Sequence, residues 1–78
     1  MNPTMENILK LVKLQLGIHA VSPTDRFMED LGAESMDLMN MVTMAEDTFG
    51  VELPEAHIAD VRSIQDFYDV IRMVKKGE

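Results

Sequence analysis

Apolar residues recur along this chain with helical spacing, and nowhere with the strict alternation of a strand. Within residues 3–16, "PTMENILKLVKLQL", Met5, Ile8, Leu9, Val12 and Leu16 form one stripe, widened by Leu11 and Leu14. Pro3 suits a first helical position and Gly17 a stop, so the pattern predicts a first helix over residues 3–16. A second helix is expected over residues 35–49, "SMDLMNMVTMAEDTF", closed by Gly50. Steps of about 100° per residue gather Leu38, Met41, Val42, Ala45 and Phe49 into its core stripe. Met36 and Met39 fall on the opposite side with Asn40, Thr43 and Asp47, so two methionines are expected in solvent beside polar groups. Met44 is also off the stripe and is placed under a neighbouring segment.

Pro54 opens a short helical segment around residues 55–60, anchored by Ile58 and Val61. Ser63 then caps a last helix, with Asp66 three residues on as capping-box partner. Its stripe is Ile64, Phe67, Tyr68, Ile71 and Val74, and Arg72, Lys75 and Lys76 put positive charge where the helix dipole favours it. From Gly17 to Glu34 no period is sustained, and Ser22, Pro23, Thr24 and Asp25 signal a turn. A connection of that length is often functional, and Ile18, Val21, Phe27, Met28 and Leu31 are spaced to pin it to the core. The expected fold is all-α: a four-helix bundle with three longer helices, one short third helix and a long first loop.

At 78 residues the chain is expected to form one domain, residues 1–78, with a thin net stability of roughly 3 to 5 kcal/mol. It contains no cysteine, so no disulfide or thiolate metal site reinforces it, and His19 and His57 have no second ligand at metal-motif spacing. No apolar stretch approaches a membrane span and the start lacks a signal-peptide pattern, which suggests the cytoplasm and no membrane partner. Fourteen acids against seven bases exclude a nucleic-acid binder, which needs a basic footprint, and favour basic partners. Residues 34–69 alone hold nine acids and one base, so the acidity begins beside Ser35.

Ser35, between Glu34 and Asp37 at the head of the second helix, has two readings. A serine there is ordinarily a cap. It also suits an attachment point, because a helix N-terminus tolerates a phosphate through its unpaired amides and dipole, and Gly32 gives the chain room to turn. An enzyme is not indicated: no base is spaced to activate the hydroxyl, and the Gly-x-Ser-x-Gly elbow and glycine-rich phosphate loops are missing.

"DLGAESMDLMNMVTMAEDTFGVELPE" followed by "DVRSIQDFYDVI" resembles the acyl carrier proteins, whose signature is Asp-Leu-Gly-x-Asp-Ser-Leu-Asp. The resemblance implies a stand-alone, non-catalytic carrier in which Ser35 receives 4′-phosphopantetheine from coenzyme A through a phosphopantetheinyl transferase. The arm's thiol then holds acyl groups as thioesters and presents them to enzymes of fatty-acid, lipid or polyketide-type biosynthesis.

By the same resemblance the second helix docks on basic patches of acyl-loading and acyl-processing enzymes. Glu34, Asp37, Glu46 and Asp47 would be its charges and Met36 and Met39 its apolar contacts, with Asn40 and Thr43 on the same face. An acyl chain would shelter against Met41, Met44 and Ala45 with Ile58 and Val61, residues that core packing explains equally well. The protein is expected to act as a monomer. Glu34 stands where the family usually has aspartate and Met36 where it has leucine, departures that bear on transferase preference; Asn40 stands where glutamate is common, which thins the acidic face and points to a specialised carrier. A peptidyl or aminoacyl carrier, and an unmodified acidic interaction domain, remain the alternatives.

Overall fold

The computed structural model describes residues 2–77. Its elements are α1 (Met5–Leu16), α2 (Ser35–Phe49), α3 (Glu55–Ile58) and α4 (Ile64–Lys76). This is the expected arrangement of three longer helices and a short third one. α2 packs on α1, and α4 packs on both α1 and α3.

Each end of α1 is set by a local device. Thr4, not Pro3, takes the N-terminal position: its backbone is extended and its hydroxyl accepts the Asn7 N–H at 3.2 Å. Pro3 therefore stands one residue outside the helix cap, where it is buried. At the other end Gly17 adopts φ 67° and donates its N–H to the Lys13 carbonyl. That left-handed residue is costly for any side chain with a Cβ, which is why the apolar stripe ends on a glycine. Leu14 does not widen the stripe as expected; it is 75% exposed, because the α1 surface that meets the other helices is covered by Ile8, Leu11 and Val12.

The core joins Ile8, Leu11 and Val12 to Met41, Ala45 and Phe49 of α2 and to Ile64, Phe67 and Ile71 of α4. Leu38, Val42, Met44, Tyr68 and Val74 pack around it, half-buried. The α2–α3 connection adds Val51 and Leu53, two alternate residues of a non-helical stretch whose burial no helical period announces. Val61 is buried and Ile58 half-buried, as their anchoring roles require.

The long first loop is held by backbone as much as by side chains. The Phe27 N–H donates to the Arg62 carbonyl at 2.9 Å and the Ile64 N–H to the Asp25 carbonyl at 3.0 Å, forming a single antiparallel bridge between Arg26 and Ser63. The Gln65 N–H also reaches the Pro23 carbonyl at 2.9 Å. These bonds occupy amides that the α4 start would otherwise leave open. Phe27 drives its ring into the core, edge-on to Phe67 with centroids 5.9 Å apart. Val21 and Leu31 pack beside it, but Met28 is 48% exposed and Ile18 lies outside the core cluster, so two of the five expected anchors do not anchor.

Ser63 and Asp66 form the anticipated capping box. The Ser63 hydroxyl accepts the Asp66 N–H at 3.1 Å, and the Asp66 carboxylate accepts the N–H groups of Ser63 and Arg62, both at 3.1 Å. These donors stabilise the charged form and hold the Asp66 carboxyl below the usual range, the Arg62 N–H being the largest cause.

Candidate functional site

The loop delivers Ser35 by a short, fixed approach. Gly32 takes φ 67° and turns the chain. Ala33 is then buried and donates its N–H to the Phe27 carbonyl at 2.8 Å, so the residue two positions before Ser35 is tied to the loop's deepest anchor. Its burial was not read from the sequence; an alanine between a glycine and a glutamate carries no periodic sign of it.

Ser35 is not the cap. The N-cap is Glu34, in extended conformation, and its N–H donates to the Asp37 carboxylate at 2.9 Å. The first intrahelical bond runs from the Leu38 N–H to the Glu34 carbonyl. Ser35 thus occupies the first helical position, exposed, and among the described residues its hydroxyl has no hydrogen-bond partner. Shifting the cap by one residue has a chemical consequence: the hydroxyl that capping would have engaged is left free at the positive end of a helix of 15 residues.

Beside it opens a cleft of roughly 640 Å³ between α2, the first loop and the α3 region. Leu38, Val42, Leu53, Ile58 and Val61 give it apolar walls, and Phe27 and Met28 contribute from the loop. Ser35, Met39, Thr43, Glu46, Glu55 and Arg62 also line it. Of the five sequence-derived cargo candidates, Ile58 and Val61 line this cleft and Met41, Met44 and Ala45 do not. Met41 and Ala45 are completely buried and Met44 packs against the core, because their side of α2 faces α1 rather than the cleft. Leu38, Val42 and Leu53 also line it, although Leu38 and Val42 belong to the core stripe of α2. A residue at the edge of a core stripe both packs inward and borders a groove.

The outer face of α2 has the expected exposure. Met36 is 68% and Met39 66% exposed, and Glu34, Asn40, Thr43 and Asp47 are exposed with them. Thr43 returns its hydroxyl to the Met39 carbonyl at 3.2 Å. Glu46 differs from the other charges of this face. It is half-buried, and its carboxylate accepts the Leu53 N–H at 2.9 Å, clamping the α2–α3 connection to the cleft wall. Asp37 is likewise half-buried and committed to the helix start. In the first loop, Arg26 binds Asp30 at 3.1 Å and Glu29, a residue of the cleft lining, at 3.5 Å. Its guanidinium is the first cause of the lowered Asp30 pKa, with the Arg26 backbone N–H second.

A helical bundle that presents one unbonded hydroxyl at a helix head, beside an apolar cleft and below an acidic face, has the form of a covalently loaded carrier. Over residues 6–71 the chain matches the family model described as the phosphopantetheine attachment site. It is 36% identical over 75 residues to the acyl carrier protein of Solidesulfovibrio magneticus, an alignment covering 94% of this chain and 95% of that one. To the acyl carrier protein of Nitratidesulfovibrio vulgaris it is 35% identical over 68 residues, 85% and 90% of the two chains. The chain belongs to the acyl carrier protein family, whose cofactor is 4′-phosphopantetheine and whose members are carriers rather than catalysts. No helix among the described residues is long and apolar enough to cross a membrane.

Proposed function

We propose that Ser35 is the residue that bears the phosphopantetheine arm, and that the chain carries acyl groups for enzymes of fatty-acid, lipid or polyketide-type biosynthesis. The observation that carries this reading is the exposed, unpartnered Ser35 hydroxyl at the first position of α2. A phosphodiester built there meets backbone amides with no intrahelical partner and the positive end of the dipole. Asp37 already has the Glu34 N–H to satisfy it, which moderates its repulsion of the new charge.

The arm supplies the thiol that this cysteine-free chain lacks, and with it the thioester chemistry. The protein's own residues position and shelter. Ala33 and Gly32 fix where Ser35 stands, and the walls formed by Leu38, Val42, Leu53, Ile58 and Val61 favour apolar cargo over an aminoacyl group. Glu34, Asp47 and the exposed methionines present an acidic, adaptable face to basic patches on a phosphopantetheinyl transferase and on acyl-loading and acyl-processing enzymes.

Incubation of the full chain with coenzyme A and a broad-specificity phosphopantetheinyl transferase tests the assignment. Intact-mass measurement should show a gain of one phosphopantetheine group on the parent and none on Ser35→Ala. No gain on the folded parent, or the same gain on Ser35→Ala, removes Ser35 from the role.

A further inference from the structure

The chain holds eight methionines in 78 residues, and the fold separates those of the described residues into covered and exposed ones. Met41 has no exposed surface and Met44 packs on the core, whereas Met36, Met39, Met28 and Met73 expose about half or more of theirs. Three of those four surround Ser35. Met36 follows it directly, Met39 lies one helical turn on along the same face, and Met28 and Met39 line the cleft that Ser35 borders. Met73 belongs to a separate hollow, with Pro54 and His57 among its neighbours.

We propose that Met28, Met36 and Met39 form a site of reversible oxidation by hydroperoxides, and that their sulfoxides suppress loading of Ser35 while leaving the bundle folded. The proposal rests on the reading of Ser35 as the attachment residue. In the oxidation step the thioether sulfur gives an electron pair to one peroxide oxygen. The O–O bond breaks as the S–O bond forms, the hydroperoxide proton moves to the departing oxygen, and that oxygen leaves as water from hydrogen peroxide or as an alcohol from an organic hydroperoxide. Sulfur is oxidised by two electrons and peroxide reduced by two. A leucine at any of these positions would bury similar apolar area and could not react.

The consequence follows from where the sulfurs are. A sulfoxide turns a flexible apolar side chain into a polar, chiral one. At Met41 that change would break the core; at the rim of Ser35, where about half or more of each side chain is already exposed, it costs far less packing and alters mainly what an approaching enzyme meets. Reductases specific for methionine sulfoxide reverse it at the expense of a thiol reductant, so the modification has a return path.

Limited hydrogen peroxide treatment of the full chain, followed over time by peptide mass mapping, tests the order of reaction. Sulfoxide should appear on Met28, Met36, Met39 and Met73 ahead of Met41 and Met44, with an unchanged thermal melt. The rate of phosphopantetheine transfer should then fall by about tenfold, because apolar contacts at the docking rim are lost. Sulfoxide reductase with a thiol reductant should restore it. Met28→Leu/Met36→Leu/Met39→Leu should keep its own untreated rate after peroxide, while Met73→Leu should lose rate as the parent does. Transfer that is equally fast before and after oxidation of the three, protection by Met73→Leu, or rate loss that tracks unfolding overturns the proposal alone. Untreated parent that accepts no arm overturns the attachment reading and this proposal with it.

Discussion

The free hydroxyl of Ser35 depends on its neighbours being occupied. Asp37 takes the Glu34 N–H, so the serine is relieved of capping. The corresponding box at α4 keeps its serine engaged, since the Ser63 hydroxyl accepts the Asp66 N–H. Asp66 gives a pH prediction with a definite sign. Its folded pKa is depressed, chiefly by the Arg62 N–H. A depressed carboxyl contributes stability that is present above its unfolded pKa and is lost as pH falls through the folded value. Asp66→Ala should therefore lower the melting temperature at pH 7, by a cost of about 1 kcal/mol. Melts repeated at falling pH should show the gap between parent and variant closing below about pH 4. A gap independent of pH would assign the loss to something other than the carboxylate.

Among the elements, the first loop is the one whose structure could not be read from its own residues. It acquires order from α4: the bonds of Phe27 with Arg62, Ile64 with Asp25 and Gln65 with Pro23 give the loop and the helix start each other's missing partners. Phe27 is the apolar counterpart of those bonds, fully enclosed and edge-on to Phe67. Truncating a buried phenylalanine costs about 3 to 5 kcal/mol, as much as a bundle of this size has to spare. Phe27→Ala should accordingly be largely unfolded at 25 °C by far-ultraviolet circular dichroism, and it should lose phosphopantetheine transfer although Ser35 is intact. A folded Phe27→Ala that is loaded normally would show that the loop does not position the serine.

For the molecule as a whole, charge and core size oppose each other. Residues 34–69 bring nine acids and one base onto a small bundle with few core residues. Ion pairs of Lys10 with Glu6 and of Arg26 with Glu29 and Asp30 take their acids from before residue 34. They are exposed and contribute little. Like charges on the remainder repel and lower the stability of the compact state. Moderate salt, or millimolar divalent cation, should raise the melting temperature, and a melt insensitive to both would show that repulsion is unimportant. On the proposed reading the same acidity attracts basic enzymes to the α2 face, which would link a cost in stability to recognition.

The sequence by itself determined the helices, their order and the exposure of Met36 and Met39. Helical period and end residues are local properties: Gly17, Gly50 and Ser63 act within a turn of where they stand. The family signature around Ser35 was legible for the same reason, being one short run of chain. Tertiary structure decided which side of α2 borders space and which borders protein. It kept Met41, Met44 and Ala45 away from the cleft and set Leu38 and Val42 beside it, exposed Leu14 and Met28, and enclosed Ala33, Val51 and Leu53. Those outcomes depend on the partner each residue meets, and a local period does not name that partner. The role of Ser35 within its helix turned on a smaller matter, a cap displaced by one residue, which set its hydroxyl free.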